Sequence, residues 1–224
     1  MRRPRIWAGI ALALVLVGVA AWMFAIAWSP SREDYATQGI DVSDENGAIA
    51  WSIVKAQDID FTYARATDGV DGRDTMFGDY WSGLEEAGIR RGAIHIFSLC
   101  RLATDQAGNF VATVPRDPDA LPAAIDLSFR GDCPARPDRA VVLGEIRQLA
   151  SIIETHSGKP VILRIARDFE ERYQVSGAIP RPTWATGMFF PPQYLARPWR
   201  MWQSSTIRRI EGVDHPVNWN VVAP

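Results

Sequence analysis

Two aspartates stand in short apolar stretches of this sequence, where their carboxyl groups could do acid–base chemistry. Asp41 lies within 39–42 and Asp126 lies within 122–129. Both stretches are typical of β-strands, and residues two apart in a strand point to the same face. The hydroxyl of Ser128 would therefore enter the same space as the carboxyl of Asp126. By residue type alone, these carboxylates fit either a catalytic site at strand ends or caps of the loops that follow.

The histidines and cysteines indicate structural roles. The three histidines and two cysteines show no metal-ligand spacing, so no metal site is predicted, and nothing in the sequence indicates another cofactor. His95 lies in an apolar stretch, where a hydrogen-bonded core histidine is expected. In an oxidising compartment Cys100 and Cys133 would form one disulfide, with two buried thiols as the alternative.

The first 28 residues are predicted to export the chain. Three arginines among the first five residues precede an uncharged apolar run of 23 residues at 6–28, long enough to span a bilayer as a helix. Ala25 and Ala27 also form a pattern that signal peptidases cleave. We expect a single-pass inner-membrane anchor with the remainder in the periplasm. The alternative is secretion after cleavage.

The exported part is mildly acidic, which argues against a nucleic-acid partner. Without the three N-terminal arginines, 21 Lys and Arg residues stand against 26 Asp and Glu residues. Nucleic-acid binding needs a basic patch. Residues 29–37 are polar and are predicted to be a linker, and 38–224 is long enough for one complete core. Nothing in the sequence indicates the oligomeric state.

Strand-like and helical stretches alternate through the exported part. Helical spacing is found at 48–57, 77–87, 104–114, 137–156 and 167–175, and strand-like stretches lie at 39–42, 60–66, 91–99, 122–129, 161–166, 182–189, 199–204 and 213–221. Strands that alternate with helices indicate a parallel sheet. The predicted fold is α/β, an irregular (β/α) TIM-like barrel of roughly five βα units and three further strands, preceded by one transmembrane helix.

Seven segments of the exported part form an ordered set of motifs. They are GIDVS (39–43), FTYARATDG (61–69), RGAIHIF (91–97), QAGNFVATVP (106–115), LPAAIDLSF (121–129), WQSS (202–205) and GVDHPVNWN (212–220). Together they resemble the family 25 glycoside hydrolases, which are muramidases that cleave peptidoglycan. The resemblance covers nearly all of the exported chain, and the two cysteines resemble a disulfide of some members. It implies a barrel with its site at the C-terminal ends of the strands.

The resemblance also implies the site residues. The family's acidic positions map to Asp41, Asp126, Ser128 and Asp214, and Ser128 stands where the family has the glutamate that donates a proton. Contacts to sugar are implied for a second set of side chains, which comprises Arg65, Arg164, Trp184, Trp202 and Gln203. Arg65 could pair with Asp41 or Asp126, and Arg164 could do the same or capture an anionic group.

The serine separates two hypotheses about function. A hydroxyl cannot serve as the general acid, and loss of such an acid costs about 10²–10⁴-fold in rate. Tyrosines expected in two strands are Ile94 and Arg164 instead, so several cleft positions have changed together. The chain is therefore interpreted as a peptidoglycan-directed hydrolase, acting on the N-acetylmuramic acid–N-acetylglucosamine bond, with reduced or lost activity. The alternative is a non-catalytic glycan-binding or envelope interaction domain.

Overall fold

The computed structural model of the chain describes residues 3–224, with side chains described from residue 7 onward. Of the arginines predicted to lie on the cytoplasmic side, Arg2 falls outside the described residues, as do the side chains of Arg3 and Arg5.

An apolar helix, α1 (Arg3–Ala27), precedes the rest of the fold. Its window Trp7–Ala27 is long and apolar enough to cross a membrane, and none of that window is buried in the protein. A core helix of this composition would be covered, whereas a membrane anchor or a signal sequence would not. The helix is therefore compatible with both segment types named above.

Nine strands follow within residues 3–224, and eight of them close into a barrel. The strands are β1 (Gln38–Val42), β2 (Phe61–Asp68), β3 (Gly72–Arg73), β4 (Arg90–Ile96), β5 (Ala124–Leu127), β6 (Ile162–Ile165), β7 (Thr183–Thr186), β8 (Met201–Arg208) and β9 (Val217–Val222). Neighbours run in the order β1-β9-β8-β7-β6-β5-β4-β2, and a parallel β1–β2 pairing closes the ring. The strand β9 is antiparallel to β1 and β8, and β3 is a short arm on the end of β2.

Helices connect the first six strands of the ring and cover its outside. They are α2 (Trp51–Lys55), α3 (Phe77–Glu86), α4 (Ala103–Thr113), α5 (Arg139–Ser157), α6 (Arg167–Tyr173) and α7 (Val175–Ala178). The longest, α5, buries Val142, Ile146, Leu149 and Ile153, which recur at helical spacing. It ends at Gly158, whose φ of 71° is the left-handed conformation that glycine adopts most readily.

The predicted α/β architecture is confirmed as a mixed fold with a closed eight-stranded barrel and an N-terminal apolar helix. Several boundaries differ from the sequence prediction, and two of the differences have a clear cause in the backbone. The helix predicted at 167–175 is split into α6 and α7 because Gln174 adopts a φ of 48°. The strand predicted to begin at 213 starts at Val217, after Pro216, which has no N–H to donate to a sheet.

The barrel interior consists of an apolar layer below a polar one. The lower layer comprises Phe61, Tyr63, Ile94, Ala124, Ile162, Trp184 and Met201. A Cβ on Gly92 would lie 2.4 Å from the ring of Tyr63, so glycine makes room for that ring. Two positions further along β2, β5, β6 and β8 stand Arg65, Asp126, Arg164 and Gln203. The alternation of strand residues thus puts charged groups at the C-terminal end of the barrel.

The segment 29–37 is folded against the barrel. Pro30 is buried, and the ring of Tyr35 lies 6.1 Å from that of Trp199. Arg32 forms an ion pair of 3.0 Å with Asp60, which precedes β2. This stretch, predicted as a linker, is therefore part of the packed surface.

A disulfide joins two loops at the C-terminal edge of the barrel. Cys100 follows β4, Cys133 follows β5, and their sulfurs are bonded. The predicted disulfide is confirmed, and it ties together the loops beside Asp126.

Candidate functional site

A polar cleft opens at the C-terminal ends of the barrel strands. Its volume is about 610 Å³, and side chains from β1, β2, β5 and β6 and from the segment before β9 line it. The lining residues that the following paragraphs use are Asp41, Arg65, Asp126, Ser128, Arg130, Arg164 and Asn218. A second, more apolar cavity of about 350 Å³ lies at the opposite edge. Since the charged groups converge on the first cleft, it is the candidate functional site.

Asp41 is held by three donors. Its Oδ1 accepts hydrogen bonds from Nη1 of Arg164 at 3.0 Å and from Nδ2 of Asn218 at 2.8 Å. Its Oδ2 accepts one from Nδ2 of Asn220 at 2.8 Å. The residue is 6% exposed. A buried carboxylate with this set of partners is fixed in position.

Asp126 and Ser128 form a pair on one face of the β5 strand and its extension. Ser128 Oγ donates a hydrogen bond of 2.6 Å to Asp126 Oδ1. The other carboxylate oxygen of Asp126 lies 3.2 Å from Nε of Arg164. Where the family resemblance leads us to expect a second carboxyl group, the structure has a neutral hydroxyl that donates to the first.

Arg164 lies between the two aspartates. Its guanidinium contacts Asp41, Asp126 and the side-chain oxygen of Gln203, and it stacks 5.0 Å from the ring centre of Trp184. Burial alone would lower the pKa of this arginine, but the charges of Asp41 and Asp126 outweigh burial and raise it. The guanidinium therefore stays protonated and compensates the charge of both carboxylates.

Arg65 belongs to a separate ion-pair cluster on the cleft wall. Its Nε lies 2.9 Å from Asp74, and its other nitrogens contact Asp44 and, at 3.7 Å, Glu45. The expected pairing of Arg65 with Asp41 or Asp126 is thus replaced by pairing with acids from the loops after β1 and β3. Those acids are nearer, and Arg164 already occupies the space between the two barrel aspartates.

A further ion pair closes the side of the cleft near the disulfide. Arg130, in the disulfide-bonded loop, lies 2.8 Å from Asp68 at the end of β2. Burial raises the pKa of Asp68, an effect that Arg130 partly opposes and the charge of Asp132 adds to. Asp68 is thus a carboxyl beside the cleft that retains a proton more readily than a solvated aspartate.

The remaining predicted residues fall in three different places. Gln203 lies at the base of the cleft against Arg164. The indole N–H of Trp184 donates to the side chain of Asn220, and that of Trp202 donates to the carbonyl of Gly187. Both rings are buried, so protein atoms cover the faces that were predicted to stack on sugar. Asp214 is exposed in the turn between β8 and β9, next to His215, which lines the cleft.

Sequence reasoning missed two amides. Asn218 and Asn220 alternate along β9, and both donate to Asp41. The asparagines stand two residues apart in the GVDHPVNWN stretch (212–220), and this spacing in a predicted strand was the signal that could have found them.

His95 is a structural residue. It is fully buried, its Nδ1 lies 2.8 Å from Oγ1 of Thr67, and its Nε2 lies 3.3 Å from Oε1 of Gln106. Burial lowers its pKa to about 4, an effect that the hydrogen bond to Gln106 only partly offsets. The ring is therefore neutral near pH 7 and links β2, β4 and α4.

The groups of the cleft can form hydrogen bonds with a polar ligand. Sugar hydroxyl and amide groups both donate and accept hydrogen bonds, as do the carboxylates, amides and hydroxyl of this cleft. Glycoside cleavage needs an un-ionised acid beside a carboxylate, and here the position next to Asp126 holds Ser128. Within residues 3–224, no three His, Cys, Asp or Glu side chains are grouped to hold a metal ion.

Comparisons with known proteins agree on one family. The family model of glycosyl hydrolases family 25 matches residues 40–213. The YegX protein of Escherichia coli K12 is 29% identical over 194 residues, which cover 84% of this chain and 70% of that protein. A family 25 glycosyl hydrolase from Bacillus anthracis has a TM-score of 0.78 at 29% identity, covering 88% of this chain and 92% of that one. A bacterial lysozyme from Streptomyces coelicolor has a TM-score of 0.75 at 26% identity, covering 83% and 91%.

Proposed function

Because this chain belongs to glycosyl hydrolase family 25, we propose that its cleft binds peptidoglycan glycan strands and hydrolyses them weakly or not at all. The observation that carries this proposal is the position of Arg164, which is hydrogen-bonded to Asp41 and ion-paired with Asp126, with Ser128 as the neighbour of Asp126. Peptidoglycan is inferred as the ligand from the family, whose members include lysozymes. The weak hydrolysis follows from the charge arrangement of this cleft.

Binding and cleavage make different demands on the cleft. Binding needs an open polar surface, and the cleft of about 610 Å³ is large enough for sugar rings. Cleavage between N-acetylmuramic acid and N-acetylglucosamine needs one carboxyl to hold a proton while another stays ionised. A protonated Arg164 lies between Asp41 and Asp126, and the neighbour of Asp126 is the neutral Ser128. Residual cleavage would therefore have to use Asp68, the neighbouring carboxyl whose pKa burial raises.

The architecture and location that accompany this function are also proposals. We describe the fold as an irregular (β/α) barrel, in which five strand–helix units and three closing strands place the site at the C-terminal edge. The apolar helix α1 would anchor the chain in the inner membrane with the barrel in the periplasm. Asp214 would contribute from the rim of the cleft, beside His215.

The test measures binding and cleavage on the same sample. Full-length protein in detergent is incubated with peptidoglycan sacculi, and both the pelleted protein and the released muropeptides are quantified. We expect co-sedimentation that Arg164→Gln weakens, with little release. Release that Asp68→Asn abolishes would identify weak hydrolysis through Asp68. Failure to co-sediment would overturn the proposal.

Restoring the missing acid should require two changes. Ser128→Glu alone would place a carboxylate near Arg164, which would keep it ionised. Ser128→Glu combined with Arg164→Tyr removes that charge and restores the residue types that the family has at both positions. We expect the double variant to release muropeptides at least about 10²-fold faster than either single variant, the usual contribution of a general acid. The matched control is Ser128→Gln with Arg164→Tyr, which has the same size but no acid.

A further inference from the structure

The membrane helix joins the barrel at the edge where the cleft opens. The backbone N–H of Arg209 donates to the carbonyl of Ile26 at 2.9 Å, and the guanidinium of Arg208 donates to the carbonyl of Ala27. Carbonyls in the last turn of a helix lack partners within the helix, so the C-terminal end of β8 caps α1. Thr206, near the end of β8, lines the cleft.

A loop beside this junction is held in an unusual conformation. Phe189 has a φ of 65°, which a bulky side chain rarely adopts, and its N–H donates to the carbonyl of Ser204 at 2.9 Å. The ring of Phe189 packs 5.2 Å from that of Trp28, directly after α1. The neighbouring side chains Met188 and Phe190 are 39% and 79% exposed. The loop therefore presents apolar groups to solvent beside the end of the membrane helix.

These residues have the chemistry of a bilayer interface. We name Trp28, Met188, Phe189, Phe190, Arg208 and Arg209 the junction rim. Aromatic side chains are enriched at the level of lipid headgroups, and arginines near the surface attract anionic lipids. From Thr206 to Arg209 a strand rises by about 10 Å. If α1 spans a bilayer, the edge of the cleft lies within roughly that distance of the headgroups.

We propose that the junction rim rests on the bilayer and that the ligand is a glycan strand whose end is carried on a lipid of the same membrane. This rests on the proposed glycan binding and on α1 remaining in the membrane. A lipid-linked strand has its first sugars at the headgroups, within reach of the cleft, whereas finished wall stands further away. The bilayer is the partner of the rim because the rim continues the apolar helix.

The contact with the bilayer can be measured on full-length protein in vesicles. Both native cysteines are in the disulfide, so a new thiol at Phe190→Cys takes an environment-sensitive fluorophore selectively. The control is Arg116→Cys, an exposed position between α4 and β5 at the opposite edge. In vesicles of phosphatidylethanolamine and phosphatidylglycerol containing nitroxide-labelled lipid, quenching should be several-fold stronger at 190 than at 116. Equal quenching would overturn the contact, as would a mature chain that begins after Ala27.

The ligand class is tested with three forms of one peptidoglycan oligosaccharide. The first is attached directly to a lipid, the second through a long polymer spacer, and the third is free. Vesicles with full-length protein should bind the directly attached form at least as tightly as the spaced form. Phe190→Ser should weaken the binding of the directly attached form most. Binding of the spaced and free forms alone would overturn the inference but leave the proposed function. Binding of none of the three would overturn both.

Discussion

Arg164 carries a positive charge into the barrel at the level where the adjacent strand β5 carries Asp126 and the more distant strand β1 carries Asp41. Sequence motifs predicted that these three residues and Ser128 lie at strand ends, and the structure brings them together. The sequence allowed either Arg65 or Arg164 to pair with these aspartates and did not decide between the two arginines. The choice depends on loop geometry, which brings Asp44 and Asp74 to Arg65.

Removal of the Arg164 charge should destabilise the fold. We expect Arg164→Gln to lower the free energy of unfolding by about 3–5 kcal/mol, because two buried carboxylates lose their counter-charge. Urea unfolding at pH 7 measures the change. The control is Arg181→Gln, which breaks the surface pair with Glu154 and should cost about 1 kcal/mol or less. Similar costs for both variants would show that Arg164 does not compensate the buried charge.

At the level of elements, alternating strands and helices were sufficient to predict the barrel, since each pattern has its own period. The end of β7 was harder to predict from the sequence. The apolar side chains at 188 and 189 extended the predicted strand to 189, but β7 ends at Thr186 and the following residues form the loop of Phe189. An apolar run that packs beside the end of α1 is indistinguishable in sequence from one that enters a core.

His95 links β2, β4 and α4 only while it is neutral. The unfolded chain binds a proton at this histidine with a pKa of 6.5, whereas the folded chain does so at about 4. Between these values the unfolded state binds more protons, so acidification from pH 7 to 4 should lower the free energy of unfolding by up to roughly 3 kcal/mol. Urea unfolding at both pH values should show a smaller loss for His95→Gln than for the native protein. Equal losses in the two proteins would contradict this.

The disulfide should stabilise the loops that carry Arg130. The two cysteines are 33 residues apart, and a cross-link of that span contributes roughly 3–4 kcal/mol in the chain-entropy model. Cys100→Ser with Cys133→Ser should lower the unfolding free energy by that amount and weaken co-sedimentation with sacculi. Addition of a reductant to the native protein provides the matched comparison. If neither the double variant nor the reduced native protein binds sacculi more weakly, Arg130 is held in place without the cross-link.

For the whole molecule, the fate of α1 decides where the barrel works. We expect the mature protein to keep its N-terminal segment, since the apolar run exceeds a typical signal peptide. Cell fractionation followed by mass spectrometry of the N-terminal peptide tests this. A chain that sediments with membranes, resists carbonate extraction and retains residues before Ala25 supports the anchor. A soluble periplasmic chain starting at 28 would contradict it.

The segment 29–37 packs on the barrel through Pro30, Arg32 and Tyr35 and leaves little slack between α1 and the sheet. With α1 in a bilayer, the barrel cannot rotate independently of the helix, and the two must diffuse together. Its search for ligand becomes two-dimensional, governed by lateral diffusion in a viscous lipid phase. Encounter rates would then follow membrane fluidity and the number of copies per unit area.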